Sequence, residues 1–397
     1  MKFYTLTLLT LLLFFSCKQE QSIAKQWYKG NLHTHSYWSD GDEFPEPIMQ
    51  WYKSHDYQFV ALTDHNTLAE GEFWKVIGSD SIYQNGFENY LNTYGNQWVN
   101  YTTDSLDNIS VKLKTFEEYR PLFEEKERFL ILQSEEISDG FNNKPIHLNA
   151  TNIQKKIDPQ GGESVSEVLQ NNIDAVQKQS DQFNIPMMTV INHPNFGFAL
   201  DLDDLIPLRN GIFFELFNGH PAVHNAGDSL HLSTERLWDL VNIAHIKANK
   251  PLLYGLATDD SHNYHMKGEK WSNAGRGWIE VRANALNPEA LIEAMKAGDF
   301  YSTTGLELKT LNFKDNTLSI EVDEEEGHTY QFSFIGCKRG KTEPEVLMTM
   351  SGDSAQMKVT DELLYVRCKI VSSKLHDNPI EDIRYEMAWT QPVLFGH

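Results

Sequence analysis

Cysteine is scarce in this chain. Only Cys17, Cys337 and Cys368 occur in 397 residues, and none joins the histidine and carboxylate motifs described below, so a soft, thiolate-held metal is excluded there. Positive charge is short as well, with 34 Lys and Arg against 56 Asp and Glu and a formal net charge of −22. Nonspecific duplex nucleic-acid binding needs clustered Lys and Arg to neutralise phosphates, and that class is excluded too. There is no internal repeat and no low-complexity run. The apolar stretch Leu6 to Phe15 is too short to cross a bilayer, which takes about 20 residues. Between Met1-Lys2 and Ser16-Cys17 it reads as a bacterial lipoprotein signal peptide. On that reading residues 1–16 are removed and 17–27 form a tether. The mature chain is then extracytoplasmic, held to the membrane by a lipid on Cys17, with Lys18 favouring the outer membrane.

What is present is a set of short polar motifs: His33-Thr34-His35, Asp40, Thr63-Asp64-His65, Glu136, His147, His193-Pro194 and Asp260-Ser261-His262. Side chains two apart on a strand share a face, so His33 and His35 can grip one ion. Imidazole and carboxylate donors suit borderline and hard divalent ions, which makes Zn, Mn or Fe the expected metals. Most of the motifs close a short apolar run, such as Tyr57 to Leu62, Phe129 to Leu132, Met187 to Ile191 and Leu252 to Ala257. These runs read as buried parallel strands. Helices lie between them, opened by Ser164 with Glu167 and by Thr115 with Glu118 as capping boxes. A hydrophobic content of 40% is ample for a barrel and one further domain. Alternating strands and helices with polar residues at strand ends predict an α/β barrel with its site at that face.

The runs Leu32-His33-Thr34-His35-Ser36, Ser39-Asp40-Gly41 and Ala61-Leu62-Thr63-Asp64-His65-Asn66 resemble the PHP (polymerase and histidinol phosphatase) family. Glu136-Ile137-Ser138, Asn192-His193-Pro194 and Asp260-Ser261-His262 resemble its later motifs in the same order. The resemblance covers about residues 28–305 and implies a distorted (β/α)7 TIM-like barrel that hydrolyses a small phosphorylated substrate at two or three divalent ions. It implies one ion on His33, His35, Glu136 and Asp260, a second on Glu136, His147 and His193, and a third on Asp40, His65 and His262. Glu135 and Asp259 compete with their neighbours, and alternation lets only one of each pair face the site. Asp64 is expected to orient an imidazole.

Arg276, in Ala274-Gly275-Arg276-Gly277, is a candidate phosphate clamp or an ordinary arginine near a turn. His220 is a candidate proton donor to the leaving group or a brace of its own turn. Residues 67–114 break the barrel pattern and are either a lid over the metals or a packed excursion. From about residue 306 to 397 the pattern becomes alternating strands, read as a small C-terminal β-sandwich packed on the barrel. Its Cys337 and Cys368 either pair or remain buried thiols. Two other readings stand beside the phosphoesterase: an amidohydrolase-type C–N or C–O hydrolase, and a noncatalytic, metal-stabilised surface lipoprotein.

Overall fold

The computed structural model describes residues 24–380 and 383–396. The expected signal peptide and Cys17 lie outside the described residues. Among those described, no helix is long and apolar enough to cross a membrane.

The first part of the chain runs β1 (Gln26–Asn31), α1 (Pro45–Ser54), β2 (Phe59–Leu62), β3 (Trp74–Val76), α2 (Ser81–Tyr94), β4 (Tyr101–Thr103), β5 (Ile109–Lys112) and α3 (Phe116–Phe123). It continues through β6 (Leu130–Phe141), β7 (Lys144–Thr151), α4 (Val165–Phe183), β8 (Met188–Ile191), α5 (Leu202–Leu205), β9 (Phe213–Asn218), α6 (Thr234–Lys247) and β10 (Tyr254–Thr258). Then come β11 (Trp278–Ala283), α7 (Pro288–Lys296) and β12 (Phe300–Thr303). The Thr115 and Glu118 capping box is complete. At α4 only half of the expected box forms: Ser164 accepts from the Glu167 amide, while the Glu167 carboxylate takes the Glu163 amide instead.

These strands form a large mixed sheet in the order β10-β9-β8-β7-β6-β2-β1-β11-β12. The pairs β1–β2, β2–β6, β8–β9 and β9–β10 are parallel, as expected of buried αβ strands. β6, β7 and β8 are antiparallel, a departure with a local cause. Asn142 and Asn143 both take positive φ, 48° and 65°, and two such residues make a tight hairpin where a parallel crossover would need a dozen or more. No ladder closes the sheet into a barrel among the described residues. The β10 edge comes back to β1 just beyond the two strands, where Thr34 bridges Ser261 and the amides of His35 and Asp260 bond to Ser261 and His33 carbonyls.

Residues 67–114 make their own three-stranded sheet, β3-β5-β4, around Ile77, Phe87, Tyr90 and Val111, and pack on Tyr37, Trp38 and Phe44. The segment is thus a packed unit resting on the Asp40 loop, which Lys75 touches through the Ser39 carbonyl at 3.0 Å.

The C-terminal part contains β13 (Leu308–Lys314), β14 (Thr317–Val322), β15 (Tyr330–Lys338), β16 (Glu345–Ser351), β17 (Ser354–Lys358), β18 (Leu363–Ile380) and β19 (Ile383–Thr390). The sheet β13-β14-β17 shares a core with β15 and β18, as in a sandwich. The second sheet is not separate, because β19 pairs with β12 and continues the main sheet. Cys337 and Cys368 are both free and buried. Cys368 lies opposite Phe334, three residues before Cys337, so the two thiols point to opposite faces of the sheet. Cys337 accordingly packs with Ile243 and Leu364, and Cys368 with Phe332 and Phe334.

The two parts meet at a buried ion pair. Arg367 on β18 donates to both carboxylate oxygens of Asp239 on α6, at 2.7 and 2.8 Å, and Tyr365 adds a third bond at 2.7 Å. Removing one partner leaves an uncompensated buried charge, so Asp239→Ala should cost about 3–5 kcal/mol in urea unfolding; a loss below about 1 kcal/mol would sink this account. A second prediction concerns pH. Burial, reinforced by Glu307, pushes the Glu280 carboxyl up from 4.5 to about 8. A carboxyl whose pKa rises on folding contributes stability that is full below the unfolded value and is lost as pH climbs through the folded one. The urea midpoint should therefore fall less steeply between about pH 4.5 and 8 in Glu280→Gln than in the parent chain. Parallel curves would refute it.

Candidate metal centre

Each motif follows a strand that delivers it to one place. His33 and His35 lie just past β1, His65 past β2, His193 past β8, and Asp260 and His262 past β10. Glu136 and His147 differ from the expected strand-end pattern, since both sit inside the β6–β7 hairpin, where Ser138 faces His147. His193 and Asp260 hold positive φ, 20° and 49°, a costly conformation for residues with a Cβ. Each is pinned there, the His193 amide by Glu215 Oε2 at 2.7 Å and the Asp260 amide by the His33 carbonyl at 3.0 Å.

All nine residues converge. Donor atoms within 4.8 Å of one another form four overlapping groups: His35, Asp40, His65 and His262; His33, His35 and Glu136; His33, His193 and Asp260; and His65, Glu136 and His147. The grouping differs in detail from the expected one, with His193 joining His33 and Asp260. Its Nε2 nevertheless stays 3.2 Å from Glu136 Oε1. Glu136 is fully buried and central, with His33 Nε2 at 3.5 Å, His35 Nε2 at 3.5 Å, His147 Nδ1 at 3.1 Å and His65 Nδ1 at 2.8 Å. Asp260 Oδ1 lies 3.2 Å from His33 Nε2 and 3.3 Å from His35 Nε2.

Do these residues fit divalent ions? Four buried atoms, His33 Nε2, His35 Nδ1, His35 Nε2 and Glu136 Oε2, have no hydrogen-bond partner, and buried polar atoms are seldom left so. His33 Nε2 and His35 Nε2 face Glu136 and Asp260, while His35 Nδ1 is turned toward Asp40. With bonds of about 2.0–2.2 Å to an ion, adjacent donors of a tetrahedron or octahedron stand about 2.8–3.6 Å apart, the spacing seen here. Burial, followed by the neighbouring His262, pulls the His35 imidazole down to about 3, so it is neutral and offers its lone pair. Burial opposes ionisation of Glu136, but His147, His33 and His193 outweigh it and hold the carboxyl well below the usual range. The residues fit.

A supporting layer orients these donors. Sequence reasoning missed its central member, Glu215 on β9. This fully buried carboxylate accepts from His33 Nδ1 and Thr258 Oγ1, both at 2.7 Å, and from Asn218 Nδ2 at 2.9 Å. Its signal was there to read: a lone charge in Phe213-Phe214-Glu215-Leu216-Phe217 must find partners once buried. Asn192 bonds Glu136 Oε1 at 2.7 Å, and Asn218 bonds Asp260 Oδ2 at 3.1 Å.

Glu135 and Asp259 both face away from the cluster. Glu135 takes the Ile157 amide, and Asp259 takes the amides of Gly275, Arg276 and Gly277. Asp64 does not orient an imidazole as expected. It accepts from the Ser36 amide at 2.8 Å and from the Ser36 and Ser39 hydroxyls at 2.7 Å each, so it pins the loop that carries Asp40.

Arg276 is a further correction. Its five N–H groups are all used, by the carbonyls of Asn378, Gly219, Trp271 and Gly268 and by Asn378 Oδ1, which leaves none for a phosphate. His220 does reach the mouth, with its ring 5.5 Å from that of His262. A cleft of about 980 Å³ on the flank, lined by Trp51, Tyr57, Asn263, Asn273, Trp278 and Asn378, lies apart from the cluster.

No family model matches the sequence, and no curated protein does. Among solved structures, a two-domain protein from Bacteroides vulgatus containing a predicted PHP-like metal-dependent phosphoesterase is similar at 13% identity and a TM-score of 0.40, over 93% of this chain and 96% of that one. A protein from Bifidobacterium adolescentis named as a metal-dependent phosphoesterase is similar at 12% identity and a TM-score of 0.29, over 62% of this chain and 90% of that one. Likeness at this level is weak, and the chemistry of the site rests on its own side chains.

Loss of a partner that orients a metal-ligating histidine typically costs 10–100-fold in metal affinity. Glu215→Gln should weaken Zn or Mn binding by about that factor in calorimetric titration, whereas Glu135→Gln should leave it unchanged. Equal behaviour of the two variants would remove Glu215 from the support of the site.

Proposed function

We propose that this chain is a metal-dependent phosphoester hydrolase, with His33, His35, Asp40, His65, Glu136, His147, His193, Asp260 and His262 holding two or three divalent ions. The observation that carries the reading is the convergence of nine donors, four of their buried atoms unpaired. The donor set is six imidazoles and three carboxylates. With the imidazoles neutral, the three donor carboxylates and the adjoining Glu215 set four negative charges against four to six positive ones, so a three-ion centre keeps a positive surplus for an anionic substrate despite a chain charge of −22. That surplus has to serve in place of Arg276, whose guanidinium is spent. Bound there, the ions supply a water-derived nucleophile near neutral pH and charge neutralisation for the phosphoryl oxygens.

The protein's own groups do the rest. Glu136 and Asp260 fix the spacing of the donors, Glu215 sets the tautomer and tilt of His33, and Asp64 holds the Asp40 loop. His220 Nδ1 accepts from the Ala222 amide at 3.1 Å, so in the neutral ring the proton sits on Nε2. Burial lowers its pKa and favours the neutral ring, and a neutral Nε2–H beside the mouth can give a hydrogen bond to a substrate or leaving oxygen, not the proton expected from the sequence. The amidohydrolase reading gains no support from the ion pairs, because every partner of Asp40, Glu136 and Asp260 is a histidine and no lysine enters. Attachment to the outside of a bacterial membrane through Cys17 remains part of the proposal on sequence grounds alone.

The test is initial rates on chromogenic phosphomonoester and phosphodiester substrates with Mn or Zn supplied. Turnover is expected, abolished by chelator and by His193→Ala with Asp260→Ala in a protein that still shows the parent circular dichroism. His220→Phe, which removes the Nε2–H, should lower kcat by about tenfold and leave metal content unchanged. A metal-loaded parent inactive on both esters would overturn the hydrolase reading.

A further inference from the structure

The guanidinium of Arg276 joins three separate segments. Nε and Nη2 bond the carbonyl and the side-chain oxygen of Asn378 at 3.0 and 3.1 Å. Nη1 reaches the Gly219 carbonyl at 2.9 Å, and Nη2 the Gly268 carbonyl at 2.9 Å. Asn378 lies on β18, in the C-terminal part, 102 residues from Arg276. Gly219 directly follows Asn218, the residue that bonds both Asp260 and Glu215. The packing is tight there: a Cβ on Gly219 would stand 2.7 Å from the Asp259 carbonyl and 2.9 Å from Arg276 Cβ.

The loop that carries Arg276 also holds the ligand motif directly. Ser272 donates its hydroxyl to the Asp260 carbonyl and accepts the His262 amide at 3.0 Å. Asn273 donates to the Asn263 carbonyl at 2.6 Å and in turn receives Asn378 Nδ2 at 3.0 Å. The side-chain amides of Asn273 and Asn378 that line the flank cleft are therefore spent on this tie, while Asn263 accepts the Ser272 amide at 3.0 Å and donates to Asp42 at 3.2 Å. Ile380 and, beyond it on β19, Ile383 and Met387 pack into the core of the first part beside Leu216 and Phe217, which anchors the hairpin that brings Asn378.

We infer that the β18–β19 hairpin of the C-terminal part positions the metal ligands Asp260 and His262, with Arg276 and Asn378 as the positioning residues. The physical case is one of order. Asp260 sits in a left-handed conformation, and beyond the end of β10 only the Thr34–Ser261 bridge and its flanking backbone bonds to His33 and His35 hold the Asp260-Ser261-His262 run to the sheet. The rest of their support comes from the 268–277 loop and the Gly219 turn, and a single buried guanidinium ties both to the hairpin. Arginine is required because five N–H donors in a rigid plane span three segments at once. The inference rests on Asp260 and His262 being ligands.

The test measures Zn affinity of the full chain by competition with a chromophoric chelator, with thermal melts alongside. Asn378→Ala should weaken binding about tenfold, the size seen when a group orienting a ligand is lost, and Arg276→Lys should weaken it further. Asn378→Asp, which keeps an acceptor for the guanidinium, should restore most of the affinity lost in Asn378→Ala. Glu343→Gln, which breaks the exposed Arg236–Glu343 contact between the same two parts, should bind Zn as the parent does. Parent-like affinity in Asn378→Ala, or an equal loss in Glu343→Gln, would overturn the inference while leaving the metal site standing. A parent chain that binds no Zn would overturn both. Should Asn378→Ala fail to fold, hydrogen exchange of the parent decides. Coupling is reciprocal, so Zn must protect the amides of Gly275, Arg276 and Gly277, and unchanged protection refutes the tie.

Discussion

Everything near the site answers to one constraint: negative charge buried out of reach of water. Glu136 and Glu215 are fully inside and Asp260 nearly so, and an isolated carboxylate in such surroundings is too costly to keep. Glu215 is satisfied by protein donors on both oxygens. Glu136 is only partly satisfied, since Oε2 faces His65 and His35 at 2.8 and 3.5 Å yet has no hydrogen-bond partner. The difference between the two carboxylates separates a strut from a ligand. It also explains why so many polar side chains lie at the core of a chain whose strands are otherwise apolar.

Most of the motifs were readable in the sequence because polar residues that end strands leave a mark: an apolar run, then His or Asp. All nine chosen residues meet in space; alternation allowed only one of each acidic pair to face the cluster, and the choice of Glu136 and Asp260 came from the resemblance of their motifs. The supporting layer was harder to read. Glu215 lies within a strand, where only its charge among aromatics gives it away, and the bonds of Asp64 to Ser36 and Ser39 depend on how the Asp40 loop curls. Arg276 misled because a glycine-flanked arginine has the same local text whether it meets a phosphate or carbonyls supplied from residue 378. Long-range partners of this kind leave no periodic signal.

The architecture shows a similar division. Strand and helix order was legible from apolar runs and caps, while pairing direction was not. The pair Asn142-Asn143, a two-residue turn of a familiar kind, turns β6 back on itself and makes the middle of the sheet antiparallel. The C-terminal strands were recognisable as strands, but their continuity with the main sheet through β12 and β19 rests on contacts between distant segments. Two buried cysteines on neighbouring strands were equally compatible with pairing or with separate thiols until the register placed them on opposite faces.

That hairpin has a consequence for how the protein comes together during synthesis. Glu136 and His147 are 11 residues apart and meet through a turn that closes in microseconds, so two of the three donors in the His65, Glu136 and His147 group come together from local chain alone. His33 and Asp260 belong to opposite ends of the same fold, and Asn378 emerges later still. A ribosome extends the chain at about 5–20 residues per second, which leaves the first histidines waiting more than ten seconds for the last carboxylate. The nascent protein passes through that interval with exposed, half-built metal cradles, and final locking of the site is postponed until the C-terminal strands have been made.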